Sequence, residues 1–183
     1  MRKIYFVRHC IADGQHKDSP LTTIGMRQAH LLSNFFSKHD VKIDKIISSP
    51  YLRAIESIKP YAEKENIEIE IDDRLKERIL SDEPIDDWIE ILEHSFSDHD
   101  FALPGGESSN DAISRVKPLL ESTLNDESIE QAIIVSHGNL LALLLNQYDD
   151  NFGFNEWKEL SNPDVYLLSI DNNNTSVKCL WNT

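Results

Sequence analysis

Short apolar runs that end in chemically active residues constrain the fold of this chain more than any other feature. Residues 4–7 and 132–135 have the length and composition of strands buried on both faces. A histidine follows each run two residues later, His9 in the first case and His137 in the second. Doubly buried strands belong to parallel sheets, which need helices on both faces. The runs therefore indicate a sheet protein whose strands are connected by helices.

Further strands and amphipathic helices alternate along the chain. Strands are predicted at 45–48, at 67–71 near a sheet edge, and as a closing pair at 165–170 and 177–181 around an Asn-rich turn at 172–174. Apolar residues recur at helical spacing in 22–39, 49–60, 84–96, 109–124 and 140–145. This order predicts an α/β fold, a three-layer α/β/α sandwich with a mainly parallel central sheet and helices on both faces.

Capping residues predict where three of these helices begin. Thr22 is expected to cap the first helix, and Ser108 the fourth. Ser49 followed by Pro50 predicts an N-cap and first position for the second helix. Pro60 is expected to kink or shorten that second helix, because proline removes a backbone donor.

Composition bounds the function classes. A length of 183 residues predicts a single domain over 1–183, and a formal net charge of -14 argues against nucleic acid or an anionic membrane as partner. Cys10 and Cys179 show no metal-ligand spacing, and no apolar run reaches the length of a signal-peptide core or a membrane span. We expect a cytoplasmic protein; no pattern predicts its oligomeric state.

Four residues from distant segments are expected to meet at one edge of the sheet. Ligands of such sheets bind beyond the carboxyl ends of the strands, where Arg8, His9, Arg53 and His137 all fall. Two guanidinium groups bind phosphoryl oxygens bidentately and neutralise a dianion without a metal ion. A neutral His9 imidazole could then attack phosphorus, with His137 as a further donor to the oxygens.

When phosphoryl transfer releases an alkoxide, the leaving oxygen also requires a proton donor. Glu77, which comes just after the third predicted strand, is the first candidate. Asp13 and Glu107 are alternatives from loops near the same edge, although Glu107 is also a candidate for capping the fourth helix.

Several ordered segments resemble one family. They are Val7-Arg8-His9, residues 20–29, residues 48–54, residues 106–108 and Val135-Ser136-His137-Gly138. In this order they are similar to the motifs of the histidine phosphatase superfamily, which includes phosphoglycerate mutases and broad phosphatases. The resemblance implies His9 as phosphoryl acceptor, Glu77 as proton donor, and Arg8, Arg53, His137 and Gln15 as phosphate ligands.

Cys10 departs from the family pattern, since it replaces the usual glycine after the nucleophile. Its side chain is expected to crowd the phosphate site. A cysteine-based phosphatase would instead need an arginine six residues after the thiol, and His16 stands there.

Together these features predict a metal-independent phosphomonoesterase of the histidine acid phosphatase type, acting without a cofactor through a phosphohistidine on His9. Its expected substrate is a small phosphorylated metabolite or a phosphoprotein. Phosphoglycerate mutase activity is the alternative reaction. A weakly active or non-catalytic phosphate-binding protein is the alternative from another class.

Overall fold

The computed structural model describes residues 1–38, 42–171 and 174–181. Within these ranges the strands are β1 Arg2–Arg8, β2 Lys45–Ser48, β3 Ile69–Ile71, β4 Gln131–Ser136, β5 Asp164–Asp171 and β6 Asn174–Cys179. The α-helices are α1 Thr23–Lys38, α2 Leu52–Glu65, α3 Trp88–Ser97, α4 Ser109–Asn125, α5 Gly138–Asn146 and α6 Phe154–Glu159, and a short 3-10 helix spans Asp73–Leu75. Residue 39 of the predicted first helix and residues 172 and 173 of the predicted turn lie outside the described ranges.

The strands form one sheet in the order β3-β2-β4-β1-β5-β6. Strands β3, β2, β4 and β1 pair in parallel, whereas β5 and β6 pair antiparallel at one side. The central pair β1 and β4 aligns Arg8 with Ser136, so that the two strands end side by side. The predicted mainly parallel sheet is confirmed, and the predicted edge strand β3 lies at an edge.

Two hydrophobic clusters cover the two faces of the sheet. On one face, Phe6 and Ile134 are buried together with residues of α4 and α5. On the other face, Tyr5 and Ile133 are buried together with residues of α1 and α2. Successive residues of β1 and β4 thus point to opposite clusters, as the two-residue period of a strand requires. The predicted three-layer α/β/α arrangement is confirmed.

Helix α2 begins at Leu52, later than the predicted start at Ser49 and Pro50. The hydroxyl of Ser49 accepts a hydrogen bond from the Tyr51 backbone and contacts His137, so the predicted cap is wrong. The helix also continues through Pro60, and the predicted shortening does not occur. Burial of neighbouring α2 side chains in the core offsets the lost backbone hydrogen bond.

The other helix boundaries agree in part with the sequence patterns. Thr22 and Ser108 accept hydrogen bonds from the first turns of α1 and α4, as predicted. The apolar pattern of α1 is wider than its buried stripe, because Ile24 and Leu31 are exposed. Helix α3 begins only at Trp88, and the six-residue α6 had no counterpart among the predicted helices.

No helix in the described part of the chain is long and apolar enough to cross a membrane.

A glycine in the first turn of α1 tests how closely this helix approaches the loop after β1. A Cβ on Gly25 would overlap the Ile11 carbonyl oxygen. A glycine-to-alanine substitution in a helix is normally stabilising. Gly25→Ala should instead lower the free energy of unfolding by about 1 to 3 kcal/mol, because the added methyl group overpacks this contact. Urea denaturation measures the change.

Gly153→Ala is the matched control. Its added Cβ would lie 3.6 Å from the nearest side-chain atom, and φ at this position is -119°. We expect an effect within about 0.5 kcal/mol. If Gly25→Ala were as stable as Gly153→Ala, the close approach of α1 to Ile11 would be refuted.

Candidate active site

His9 and His137 lie side by side at the carboxyl ends of β1 and β4. Their ring centroids are 5.1 Å apart, and both side chains are buried. His9 follows the last residue of β1, and its backbone N–H donates to the Ser136 carbonyl across a distance of 3.1 Å. His137 immediately precedes α5. The structure thus brings together the two histidines that the sequence placed at one sheet edge.

Hydrogen bonds fix the tautomer of His9. Its Nδ1 lies 2.7 Å from the Cys10 carbonyl oxygen, which only accepts, so Nδ1 carries the proton. Its Nε2 therefore holds a lone pair and accepts a 3.2 Å hydrogen bond from Arg53 Nε. Burial lowers the pKa of His9 to about 4. The hydrogen bond to the Cys10 carbonyl raises the pKa, whereas the positive charges of Arg53 and Arg8 lower it. At neutral pH the ring is therefore neutral, with its lone pair on Nε2.

Ser49 contacts the ring of His137. The Ser49 hydroxyl oxygen lies 2.7 Å from His137 Nε2 and accepts a hydrogen bond from the Tyr51 backbone. His137 Nδ1 is buried and has no partner among the described residues. Burial lowers the pKa of His137 well below its usual value, with His9 acting in the same direction. With the Ser49 hydroxyl as donor to Nε2, the proton of His137 lies on Nδ1, where it can be donated to a phosphoryl oxygen.

Arg53 is almost fully buried in the first turn of α2. Besides contacting His9, its Nη1 donates to the backbone carbonyls of Gln15 and His16 at 3.1 and 2.9 Å. Its guanidinium also lies 4.8 Å from the centroid of the Tyr51 ring. Burial lowers the pKa of Arg53, against an opposing effect of Glu77. These contacts orient the guanidinium beside the nucleophile.

Arg8 is the second cation of the site. Its Nη1 donates to the Leu160 carbonyl at 2.6 Å, while its Nε is buried without a partner in the described chain. A Cβ added at Gly138 would lie 3.0 Å from the guanidinium, so the first residue of α5 allows Arg8 to approach the helix closely. Burial lowers the pKa of Arg8, whereas Glu77 and Asp164 oppose the shift. A half-buried guanidinium whose buried Nε has no partner is well suited to an anionic ligand.

Glu77 reaches the same edge from the segment after the 3-10 helix. Its Oε1 accepts hydrogen bonds from the backbones of Arg78 and Leu140 at 2.8 and 2.9 Å. Its Oε2 accepts only one, from Asn139 at 3.1 Å. A carboxylate oxygen has about two acceptor sites, so Oε2 is the atom with capacity left for a proton.

The two alternative carboxylates occupy other positions. Glu107 forms a bidentate ion pair with Arg115, with N–O distances of 2.7 and 2.9 Å. It does not cap α4, because Ser108 and Asp111 form the capping box there. Asp13 is exposed and is absent from the wall of the cavity that Glu77 lines. Of the three candidate acids, Glu77 is the one that lies near Arg8 and Arg53.

Gln15 lies at the same cavity, which has a volume of about 590 Å³ and is also lined by Arg8, Glu77 and Gly138. Its backbone carbonyl accepts a hydrogen bond from Arg53 Nη1 at 3.1 Å. The structure therefore keeps Gln15 within the group that the sequence assembled.

The side chain of Cys10 does not crowd the site as the sequence led us to expect. It is fully buried in a small cluster with Leu21 and Ala29. Its backbone N–H donates to the Ser57 hydroxyl at 2.8 Å. Burial raises the pKa of the Cys10 thiol to about 11, which disfavours a thiolate nucleophile. The chain accommodates the missing glycine by directing the side chain into the core.

Sequence reasoning missed two residues that hold the nucleophile loop. Asn162 Nδ2 donates to the His9 carbonyl at 2.7 Å. Gln28 Nε2 donates to the Asn162 carbonyl at 2.5 Å, and its Oε1 accepts from the Ile11 backbone at 3.0 Å. Gln28 falls within the resembling segment 20–29, which could have drawn attention to it. Asn162 precedes an antiparallel strand and had no comparable signal.

The described residues contain no group of three or more His, Cys, Asp and Glu side chains arranged to hold a metal ion. The expectation of metal-independent chemistry rests on the two arginines, and it stays a prediction.

Comparison with known proteins identifies the family. Residues 4–183 match the family described as histidine phosphatase superfamily (branch 1). The chain belongs to the histidine phosphatase superfamily. The prediction made from the ordered motifs is confirmed.

Individual relatives support the assignment. Proteins from Yersinia pestis and Yersinia pseudotuberculosis, each described as a probable phosphoglycerate mutase, are 31% identical to this histidine phosphatase over 80% of its chain and 74% of theirs. A mycobacterial glucosyl-3-phosphoglycerate phosphatase solved with inorganic phosphate has a TM-score of 0.76 at 24% identity, covering 100% of this chain and 98% of that one. The alpha-ribazole phosphatase from Shigella flexneri has a TM-score of 0.76 at 19% identity, with coverage of 97% and 95%. At these identities the two structures show a shared fold.

The buried neutral state of His9 predicts an acid-dependent loss of stability. In the unfolded chain a histidine takes up a proton near pH 6.5, whereas folded His9 does so only near pH 4. The free energy of unfolding should therefore fall as pH decreases from about 6.5 to about 4, by roughly 2 to 3 kcal/mol for this group. Above pH 6.5 this contribution is constant.

Urea denaturation at pH 7.5 and pH 4.5 tests this linkage. His9→Gln should show a smaller loss between the two pH values than the wild type, because the substituted side chain does not titrate. His30→Gln, at an exposed position, is the control and should retain the wild-type difference. An unchanged pH dependence in His9→Gln would contradict a buried neutral His9.

Proposed function

We propose that this protein hydrolyses phosphomonoesters through a covalent phosphohistidine on His9, without a metal ion. The observation that carries the proposal is the tautomer of His9, whose Nε2 lone pair accepts a hydrogen bond from Arg53 Nε and whose ring lies 5.1 Å from the buried ring of His137. An imidazole in this state attacks phosphorus without first losing a proton.

The proposed first step transfers the phosphoryl group to the enzyme. Arg8, Arg53 and His137 bind the phosphoryl oxygens, with the Gln15 amide as a further ligand, and stabilise their charge in the transition state. The bond from His9 Nε2 to phosphorus forms as the bond from phosphorus to the ester oxygen breaks. Glu77 Oε2 gives its proton to that oxygen, which leaves as an alcohol.

The second step returns the enzyme to its starting state. Water attacks the phosphohistidine, and Glu77 accepts the proton that the water loses. The bond from phosphorus to His9 Nε2 breaks and inorganic phosphate leaves. The substrate we propose is a small phosphorylated metabolite rather than a phosphoprotein, because the cavity of about 590 Å³ has the size of a small-molecule pocket.

Phosphoglycerate mutase activity is the second candidate. The relatives described as probable phosphoglycerate mutases, 31% identical over most of this chain, favour it. It differs from hydrolysis in the fate of the phosphoryl group, which returns to the substrate instead of passing to water. Formation of 2-phosphoglycerate from 3-phosphoglycerate, followed by nuclear magnetic resonance, distinguishes the two reactions.

Hydrolysis of p-nitrophenyl phosphate in excess EDTA is the direct test. The wild type should turn over, and His9→Ala should lose at least about 10³-fold in kcat/KM, because the nucleophile is gone. His30→Ala controls for general effects of removing a histidine. The wild type quenched during turnover should carry an acid-labile phosphoryl group that is absent from His9→Ala. Absence of wild-type turnover, or retained activity in His9→Ala, would refute the mechanism.

Glu77 is tested by varying the leaving group. Glu77→Gln should reduce kcat/KM for glycerol 3-phosphate by about 10²- to 10⁴-fold, since an alkoxide needs a proton to leave. The loss for p-nitrophenyl phosphate should be much smaller, because p-nitrophenolate departs as a stable anion. Asp13→Asn, which changes an exposed carboxylate away from the cavity wall, is the matched control and should not change the ratio of the two values. Equal losses for both esters in Glu77→Gln would remove Glu77 as the acid.

A further inference from the structure

The cavity beside the site is lined by Arg8, Gln15 and Glu77, but not by His9, Arg53 or His137. The rest of its wall comes mainly from residues between 78 and 92 and from Trp157 of α6. Because the proton donor must stand next to the leaving oxygen, the alcohol part of an ester lies on the Glu77 side. The outer wall of this cavity therefore contacts the leaving group, and its chemistry determines which esters fit.

That outer wall is largely aromatic and aliphatic. Trp88 and Trp157 meet edge to face, with ring centroids 6.0 Å apart and an interplanar angle of 87°. Trp157 also stacks on Phe154 at 5.5 Å, which holds its ring in place. Leu80 and Ile85 complete the same side of the cavity. Trp88 remains 44% exposed, so it has apolar surface available to a ligand.

The charges on this wall do not favour a second anionic group. Glu83 lines it and carries a negative charge. Arg78 lines it too, but is only 5% exposed. Its Nε donates to the Glu107 carbonyl at 3.0 Å and its Nη1 to the hydroxyls of Ser95 and Ser109 at 2.9 and 3.1 Å, and the carboxylates of Glu107, Glu77 and Asp111 oppose its charge. A carboxylate on the leaving group would lose hydration here and lie near Glu83.

The wall is anchored at Ile79 before a ligand arrives. Ile79 exchanges hydrogen bonds with Glu107, whose backbone N–H donates to the Ile79 carbonyl at 2.7 Å and whose carboxylate accepts from the Ile79 N–H at 3.3 Å. The bidentate ion pair of Glu107 with Arg115 anchors this connection to α4. A preformed wall keeps the ordering cost of binding low.

We propose that the preferred substrates are phosphate monoesters of uncharged, largely apolar alcohols, those bearing an aromatic ring above all. The proposal rests on the proposed function, since it assigns the leaving group of that reaction. Trp88 and Trp157 contact the ring, and Glu83 disfavours esters with an additional negative charge. Phosphoglycerate, which carries a carboxylate, is then a poor substrate.

Three primary alkyl phosphates with similar chemical reactivity test the preference. They are 2-phenylethyl phosphate, glycerol 3-phosphate and 3-phosphoglycerate, assayed by release of inorganic phosphate with the wild-type protein. The value of kcat/KM should decrease in that order, with the aromatic ester about tenfold above glycerol 3-phosphate. A value for 3-phosphoglycerate equal to or above that for 2-phenylethyl phosphate would overturn the proposal.

Variants locate the preference on the wall. Trp88→Ala should reduce the ratio of kcat/KM for 2-phenylethyl phosphate to that for glycerol 3-phosphate by about tenfold, and Trp88→Phe should restore most of it. Ile89→Ala is the matched control, since Ile89 is a similarly exposed neighbour on α3 that does not line the cavity. A ratio that is the same in Trp88→Ala and Ile89→Ala would overturn the assignment of Trp88.

Glu83→Gln tests the charge. It should raise kcat/KM for 3-phosphoglycerate several-fold relative to glycerol 3-phosphate, because a repulsive charge is removed. An unchanged ratio would overturn the role of Glu83.

The assay separates failure of this proposal from failure of the proposed function. Hydrolysis of p-nitrophenyl phosphate that depends on His9, together with no preference among the three alkyl esters, overturns the substrate class and leaves the reaction intact. Absence of turnover with all four esters overturns both.

Discussion

The parallel pairing of β1 with β4 is the constraint on which the site depends. It places Arg8 opposite Ser136, and the backbone N–H of His9 continues the pairing by donating to the Ser136 carbonyl. The two histidines are neighbours for that reason. On the other side of β4, the pairing of Ser48 with Val135 brings the start of α2, and with it Arg53, to the same edge. Arg8, His9, Arg53 and His137 thus reach the site through the sheet register, whereas Gln15 and Glu77 reach it from segments outside the strands and helices.

This dependence explains why much of the fold and of the site could be predicted from the sequence. A strand buried on both faces appears in the sequence as a continuous apolar run, and the polar residue after it lies at the carboxyl edge of the sheet. Arg8, His9 and His137 follow such runs directly, so their positions required only the strand order. The start of α2 was less well predicted, because the Ser49 hydroxyl that favours a cap contacts His137 instead. A local sequence pattern cannot show that a distant side chain contacts the hydroxyl group that would otherwise cap the helix.

The supporting contacts were not predictable because they come from segments without periodicity. Asn162 and Leu160 lie between α6 and β5, yet their polar groups bind the His9 carbonyl and the Arg8 guanidinium. Glu107 was a plausible acid by sequence, and only its distance to Arg115 identifies it as an anchor for the cavity wall. The aromatic wall joins α3 to α6, and α6 is too short for its apolar spacing to predict a helix.

A strongly acidic chain nevertheless builds a locally cationic site. Arg53 is almost fully buried and Arg8 is half-buried, and burial lowers the pKa of both guanidinium groups. Neither forms a direct ion pair in the described structure; carbonyl oxygens and His9 Nε2 accept their hydrogen bonds instead. Two shielded cations without a direct ion pair weaken a fold, because their desolvation is only partly offset. The phosphoryl dianion of the proposed reaction would supply the missing charge, so the arrangement that costs the free protein stability would favour binding of that ligand without a metal ion.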